Sequence, residues 1–266
     1  MPEPFTCLIR KTLYNSAMAE VILRNKNAFA EILADYQVSE HAMKILSQID
    51  FVGLIGPAAG GRNTIINYLV KYKNYRFIVS DTTRPRKLRD GKMEVEGVNY
   101  YFRTEEDVLR DLRNGEFLEA EIIHNQQVSG TSIRELEKTL AHGQIAINDL
   151  EFGGAKNLLS VKPDAKVIAI LPPSFDEWRN RFKKREEITE TEFRNRARTA
   201  LKVVELIRSE PRILVVINED YESAALTVDR YVKGKPQTKL EREHVDEVLR
   251  DFERHVHSLN ASFETK

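Results

Sequence analysis

Cysteine is nearly missing from this chain: Cys7 is the only one. A lone thiol excludes an internal disulfide framework and a thiolate metal site, and it fits a reducing compartment. Net charge is missing as well, since Lys+Arg and Asp+Glu both number 41. A balanced chain is a poor general binder of nucleic acid or anionic membrane, so each basic cluster must be judged individually. No apolar run approaches the roughly 20 residues that a membrane-spanning helix needs. Near the N-terminus Glu3, Arg10 and Lys11 interrupt the hydrophobic residues, a pattern unlike a signal peptide. The expectation is a cytoplasmic protein that binds neither nucleic acid nor membrane. Internal repeats and low-complexity tracts are absent too. What is present is a 266-residue chain, 41% hydrophobic and 8% aromatic, enough for one domain with extensions or for two small domains.

Residues 1 to about 48 read as a helical extension, with apolar periodicity over 17–23 and 28–36 and a further helix starting at Ser39. From Phe51 onward, short β-branched runs at 51–55, 76–79, 144–148, 166–171 and 213–217 alternate with helical patterns. That alternation predicts an α/β fold with a central, mostly parallel sheet flanked by helices. The continuous apolar character of the runs suits strands covered on both faces. Residues 80–131 break the rhythm, with short strands near 100–102 and 117–123 around a helix at 105–113. A mixed insertion of this kind often seats a second substrate. Residues 174–208 are helical and highly charged, which ordinarily means a solvated face. A closing helix at 222–232 and a linker at 233–236 precede a segment in which Val245, Val248, Leu249, Phe252, Val256 and Leu259 form one stripe. Packing of that stripe on the N-terminal helices is the preferred reading, and a homodimer through a helix pair is the alternative.

The stretch with the clearest chemistry is Gly56-Pro57-Ala58-Ala59-Gly60-Gly61-Arg62-Asn63-Thr64, between the apolar run 51–55 and a helix-like segment. Strand, glycine-rich turn and helix N-terminus in that order make a phosphate cradle, because unpaired amides and the helix dipole favour an anion. The spacing is that of a P-loop, but Arg62 and Asn63 stand where the motif has Lys and then Ser or Thr. The six histidines show no metal-ligand spacing. His255 and His257 point to different helix faces and read as solvated, and His124 reads as an ordinary strand histidine.

Downstream lie Val79-Ser80-Asp81-Thr82-Thr83-Arg84-Pro85-Arg86, Glu94-Val95-Glu96-Gly97-Val98-Asn99-Tyr100-Tyr101-Phe102 and Gly115-Glu116-Phe117-Leu118-Glu119. Gly130-Thr131-Ser132, Ile147-Asn148-Asp149-Leu150-Glu151 and Leu171-Pro172-Pro173-Ser174 follow. With these motifs in this order, residues 51 to about 232 resemble the guanylate kinase family. The resemblance implies a P-loop nucleoside monophosphate kinase whose core, 49–232, carries an acceptor-binding insertion at about 80–131 and a helical lid at about 180–197. An N-terminal helical extension, 1–48, and a linker with an amphipathic helix, 233–266, flank it.

The resemblance implies ATP and GMP as ligands, with Mg²⁺. Gly56 to Thr64 would hold the ATP phosphates, and Asn218 would lie near the adenine, although a polar strand end capping the next helix is an equal reading. Ser80, Glu119, Thr131 and Glu151 match the positions that read guanine, because a carboxylate can accept both N–H donors on one guanine edge. Arg84 and Tyr100 match ligands of the acceptor phosphate, with Arg86, Lys87 or Arg89 open as a second cation and Arg86 the choice. Ser129 stands where the family has a phosphate-binding tyrosine. Arg181, Arg185 and Arg196 fall at the lid arginines, which with Arg62 would surround the moving phosphoryl group. Asp149, through water, and Asn63 would hold Mg²⁺. Two functions follow: phosphoryl transfer from ATP to GMP, slowed by the altered loop, or a weak or inactive domain that binds a phosphorylated protein partner. A kinase of a phosphorylated sugar is disfavoured, since Glu119 and Glu151 suit a base.

Overall fold

The computed structural model describes residues 22–89, 91–123, 125–150, 152–185 and 190–264. In chain order, α1 (Lys26–Ala34) and α2 (Glu40–Leu46) precede β1 (Phe51–Ile55), α3 (Arg62–Tyr72) and β2 (Tyr75–Phe77). The insertion follows with β3 (Asp81–Thr82), β4 (Leu88–Arg89), β5 (Lys92–Met93), β6 (Tyr101–Phe102), α4 (Glu105–Arg113), β7 (Phe117–Ile123) and β8 (Gln127–Ser132). The chain then runs through α5 (Ile133–Ala141), β9 (Ile145–Asp149), α6 (Phe152–Val161), β10 (Lys166–Leu171) and α7 (Phe175–Arg185). It ends with α8 (Glu190–Ser209), β11 (Leu214–Ile217), α9 (Tyr221–Val232) and α10 (Lys239–Glu264). The expected α/β architecture is present, and the expected core strands lie within two residues of their observed bounds. Of the helix expected at 17–23, residues 17–21 lie outside the described residues and Ile22 and Leu23 are not helical.

The chain divides into two compact units, a larger one of residues 44–78 and 136–266 and a smaller one of 1–43 and 79–135. The larger unit is built on a five-stranded sheet in the order β11-β10-β1-β9-β2, with every pairing parallel. β1 sits at its centre with all five residues buried, as a doubly covered strand requires. Ile65, Ile66 and Leu69 of α3 and Ala224, Ala225 and Val228 of α9 cover one face. Asp220 starts α9 by accepting the Ser223 amide at 2.9 Å, an N-cap that removes one orphan donor.

The stripe of α10 is filled within this same unit. Val245, Val248, Leu249, Phe252 and Val256 are buried, and α10 packs on α7, α8 and β11. The expected partner, the N-terminal helices, is thereby corrected. The stripe that would have served a homodimer seam is covered by the chain itself. Each such side chain contributes roughly 1.5–3 kcal/mol when fully buried. His255 is partly solvent-exposed, as expected, and also stacks on Phe175 at 5.0 Å.

The smaller unit carries a four-stranded sheet in the order β6-β3-β8-β7 and the β4–β5 hairpin. Its helix α4 begins at Thr104, whose hydroxyl accepts the Asp107 amide at 3.1 Å, with Glu105, Glu106 and Asp107 in the first turn where the dipole favours them. Leu23, Phe29, Val108, Leu109, Leu112, Phe117 and Val128 form its core. Helix α1 thus belongs to this unit's own core. Tyr36 fastens it to β7, donating its hydroxyl to Phe117 O at 2.7 Å and accepting the Phe117 amide at 2.9 Å. Burial pushes the Tyr36 hydroxyl up to a pKa of about 12. Asp81 is buried in this unit, held by Arg103 at 2.8 Å and Arg134 at 2.7 Å. Burial raises its carboxyl above the usual range and the two guanidinium groups oppose the rise.

Candidate functional site

The loop after β1 has the geometry of an anion cradle. Gly56 has φ of 151°, and a Cβ there would lie 2.3 Å from Ile170 O. Gly61 has φ of 99°, and its Cβ would lie 2.1 Å from Asn218 Nδ2. Both positions therefore demand glycine. Ala59, at φ of 61°, takes a left-handed conformation without being glycine, at a cost of about 1–2 kcal/mol. Gly61 caps α3 with no side-chain hydrogen bond, so the first-turn amides of the helix are left for a ligand.

The side chains expected around the loop are distributed unevenly. Arg62 Nη1 lies 2.7 Å from Asp149 Oδ1 and donates to Leu150 O at 3.2 Å. The loop's cation and the carboxylate expected to hold metal thus face each other. Asn63 and Thr64 are exposed at the start of α3. Asn218 is buried, donates its side-chain amide to Gly60 O at 2.8 Å and its backbone N–H to Leu171 O at 2.7 Å. It is a clamp on the loop, a role that its sequence context did not reveal. Arg181 holds Glu177 at 2.9 Å and donates to Asn218 O at 2.8 Å. Arg196, exposed on α8, lies 3.6 Å from Glu192. Arg185 ends α7.

The residues expected to bind the acceptor lie in the smaller unit, except Glu151, which is outside the described residues. Glu119 and Thr131 are register partners across β7 and β8, and the threonine hydroxyl donates to Glu119 Oε1 at 2.8 Å. Burial raises the Glu119 carboxyl above the ordinary carboxylate range, the Thr131 hydroxyl opposes that rise, and Glu121 adds to it. Half-buried Ser80 accepts the Tyr101 amide on its carbonyl at 3.0 Å. Ser129 donates its hydroxyl to Thr82 Oγ1 at 2.8 Å.

Arg84 is buried and doubly bonded to Glu94, through Nη1 at 2.6 Å and Nη2 at 2.9 Å. Its guanidinium lies 4.7 Å from the centre of the Tyr100 ring, and Glu94 also accepts the Lys87 amide at 2.9 Å. The sequence did not single out Glu94 as the partner that fixes Arg84. Exposed Arg86 pairs with Glu96 at 3.2 Å. Of the expected site residues, the structure brings together Glu119 with Thr131 and Arg84 with Tyr100.

The guanylate kinase family model matches residues 49–235, about seven-tenths of the chain. The chain belongs to the guanylate kinase family. The guanylate kinase of Chlorobium luteolum is 33% identical over 188 residues, covering 68% of this chain and 92% of that protein. The guanylate kinase of Clostridioides difficile is 33% identical over 181 residues, covering 68% and 85%. Among solved structures, guanylate kinase from Anaplasma phagocytophilum superposes with a TM-score of 0.50 at 25% identity, covering 72% of this chain and 87% of that one. The family match stops short of α10 and begins after α1 and α2, so this guanylate kinase family member carries helices at both ends outside the shared domain. No helix among the described residues is long and apolar enough to cross a membrane.

Proposed function

We propose that this protein transfers the γ-phosphoryl group of ATP to the phosphate of GMP. The observation that carries the proposal is the uncapped start of α3 behind a glycine-dictated loop, within a chain of this family. A non-bridging oxygen of the GMP phosphate attacks the γ-phosphorus. The bond from that phosphorus to the β–γ bridging oxygen breaks, leaving ADP and GDP. The attacking oxygen is already ionised, so a general base is not required, and positioning with charge compensation carries the rate. The loop amides and α3 receive the β- and γ-phosphates, and Glu119 with Thr131 receives the guanine edge. Arg181, Arg185 and Arg196 supply cations to the transferring group.

Mg²⁺ belongs to this reading as a companion of the triphosphate. Asn63 is exposed and the Asp149 side chain is 30% exposed, so both offer oxygen donors that suit Mg²⁺ through water. Among the described residues no cluster of three or more His, Cys, Asp or Glu could hold a metal by itself. When bound, the ion would neutralise charge on the β- and γ-phosphates.

A second reading, a weak or inactive domain that binds a phosphorylated partner, draws on the Arg62–Asp149 pair, which compensates the loop's cation before any phosphate arrives. One assay decides between them: purified protein with ATP, Mg²⁺ and each nucleoside monophosphate in turn, following ADP release. GMP-dependent turnover is the expected result. Absence of turnover together with absence of ATP binding by calorimetry would overturn the enzymatic reading in favour of the second.

A further inference from the structure

The phosphate loop is held from outside at two alternate carbonyls. Trp178 Nε1 donates to Ala58 O at 2.7 Å, and Asn218 Nδ2 donates to Gly60 O at 2.8 Å. No peptide among the described residues is cis, so each carbonyl points opposite to the N–H of the following residue. Drawing Ala58 O toward Trp178 and Gly60 O toward Asn218 therefore turns the amide of Ala59 away from Trp178 and that of Gly61 away from Asn218. Loop amides of fixed orientation are what an anion-binding backbone nest requires.

Trp178 is the only tryptophan in the chain and is fully buried. Its ring lies within an aromatic cluster of Phe175, Phe182, Phe193 and Phe252, with centroids 5.3–5.7 Å away. Phe252 comes from α10, the helix that lies beyond the shared family domain. The same helix grips the start of α7 twice more. Asp251 accepts the Phe175 amide at 2.8 Å, and His255 stacks on the Phe175 ring. An unbroken path of contacts thus runs from α10 through the aromatic cluster to a carbonyl of the phosphate loop.

We propose that Trp178 is a positioning residue for the phosphate loop and that α10 is the brace that keeps it in place. A helix outside the family's shared domain then sets how well the loop receives a triphosphate, a consequence that rests on reading this loop as the donor-phosphate site. A buried indole N–H needs some acceptor, and a purely structural bond would leave the loop indifferent to its loss. The two roles give different results.

Two full-length variants make the test. Trp178→Phe keeps a ring in the cluster and removes the donor; Phe252→Leu keeps apolar volume on α10 and loosens the brace. Amide hydrogen exchange without nucleotide is read for peptides covering 56–64 and, as internal reference, for β10. Trp178→Phe is expected to raise loop exchange about tenfold with β10 unchanged, and Phe252→Leu to raise it about threefold. ATP affinity by calorimetry is expected to fall by similar factors, with GMP affinity within twofold of the parent. Unchanged loop exchange in a folded Trp178→Phe variant, or equal acceleration in loop and β10, overturns the proposal. If the parent protein fails to bind ATP while the loop still responds selectively, the positioning role stands and the donor reading falls.

Discussion

Each unit pairs an arginine expected at a phosphate with a carboxylate, and the two pairs differ in kind. Arg84–Glu94 in the smaller unit is bidentate, with side chains only 5% and 1% exposed, and the Lys87 amide adds a third bond to the carboxylate. Arg62–Asp149 in the larger unit meets at 2.7 Å, with side chains 13% and 30% exposed. Burial makes the first pair a fixture, since removing either partner strands a charge in low dielectric. Partial exposure makes the second one exchangeable, because water and an incoming phosphate can compete for the guanidinium. The same two residue types thus build a scaffold in one place and a replaceable counter-charge in the other.

The sharpest break of this comparison is Glu94→Ala, expected to destabilise the protein by about 3–5 kcal/mol through the stranded Arg84. Urea unfolding measures it, and a loss below ~1 kcal/mol would show that the pair is no fixture. Next is Glu119→Gln, expected to weaken GMP binding by roughly 10²-fold, from two charged hydrogen bonds at about 1.5 kcal/mol each. The fold holds Glu119 at a raised pKa, so it binds the proton more tightly than the unfolded chain does. The carboxyl's contribution to stability therefore falls as pH rises from its unfolded value through its raised folded value. The same variant should accordingly unfold at a higher temperature than the parent at pH 7. GMP affinity of the parent should fall as pH drops through that raised value; a pH-independent affinity contradicts Glu119 as guanine ligand.

On the exchangeable side, Arg62→Lys combined with Asn63→Ser is expected to raise turnover about tenfold, equivalent to ~1.4 kcal/mol of barrier. An unchanged kcat would mean that the altered pair does not limit the rate. Ala59→Gly should relieve the left-handed strain and stabilise by about 1 kcal/mol in thermal unfolding, a change that leaves both ion pairs intact. The smallest effect belongs to Glu96→Gln, at the exposed Arg86 pair, expected within ~0.5 kcal/mol of the parent and shrinking further as salt is added.

Much of this was readable in residue order. Continuous β-branched runs announced β1 and β10 because doubly covered parallel strands have no other way to be buried. β8 was not legible as a strand, since Gln127-Val128-Ser129-Gly130-Thr131-Ser132 is polar and its alternation is masked by buried hydroxyls and a glycine. Glu119 was legible only through the resemblance of Gly115-Glu116-Phe117-Leu118-Glu119 to the guanylate kinase family. The longer segment between Arg84 and Tyr100 hid the partnership of Arg84 with Glu94, which only the β4–β5 hairpin brings together. The stripe on α10 revealed an apolar face but not its cover, for the charges of 174–208 drew attention from Phe175, Trp178 and Phe182. Their spacing of three and four residues was a helical apolar signal in its own right.

The strand order β11-β10-β1-β9-β2 has a bearing on how the chain is made. β1 needs β9 and β10 on its two edges, yet 90 residues separate Ile55 from Ile145. At ribosomal speeds of ~5–20 residues per second, β1 waits roughly 5–20 s with both edges open. All strands of the four-stranded sheet are synthesised within that interval, so the smaller unit can close its sheet on the ribosome before the larger one begins. Five consecutive residues of buried strand, Phe51–Ile55, are then the stretch most in need of a chaperone during synthesis.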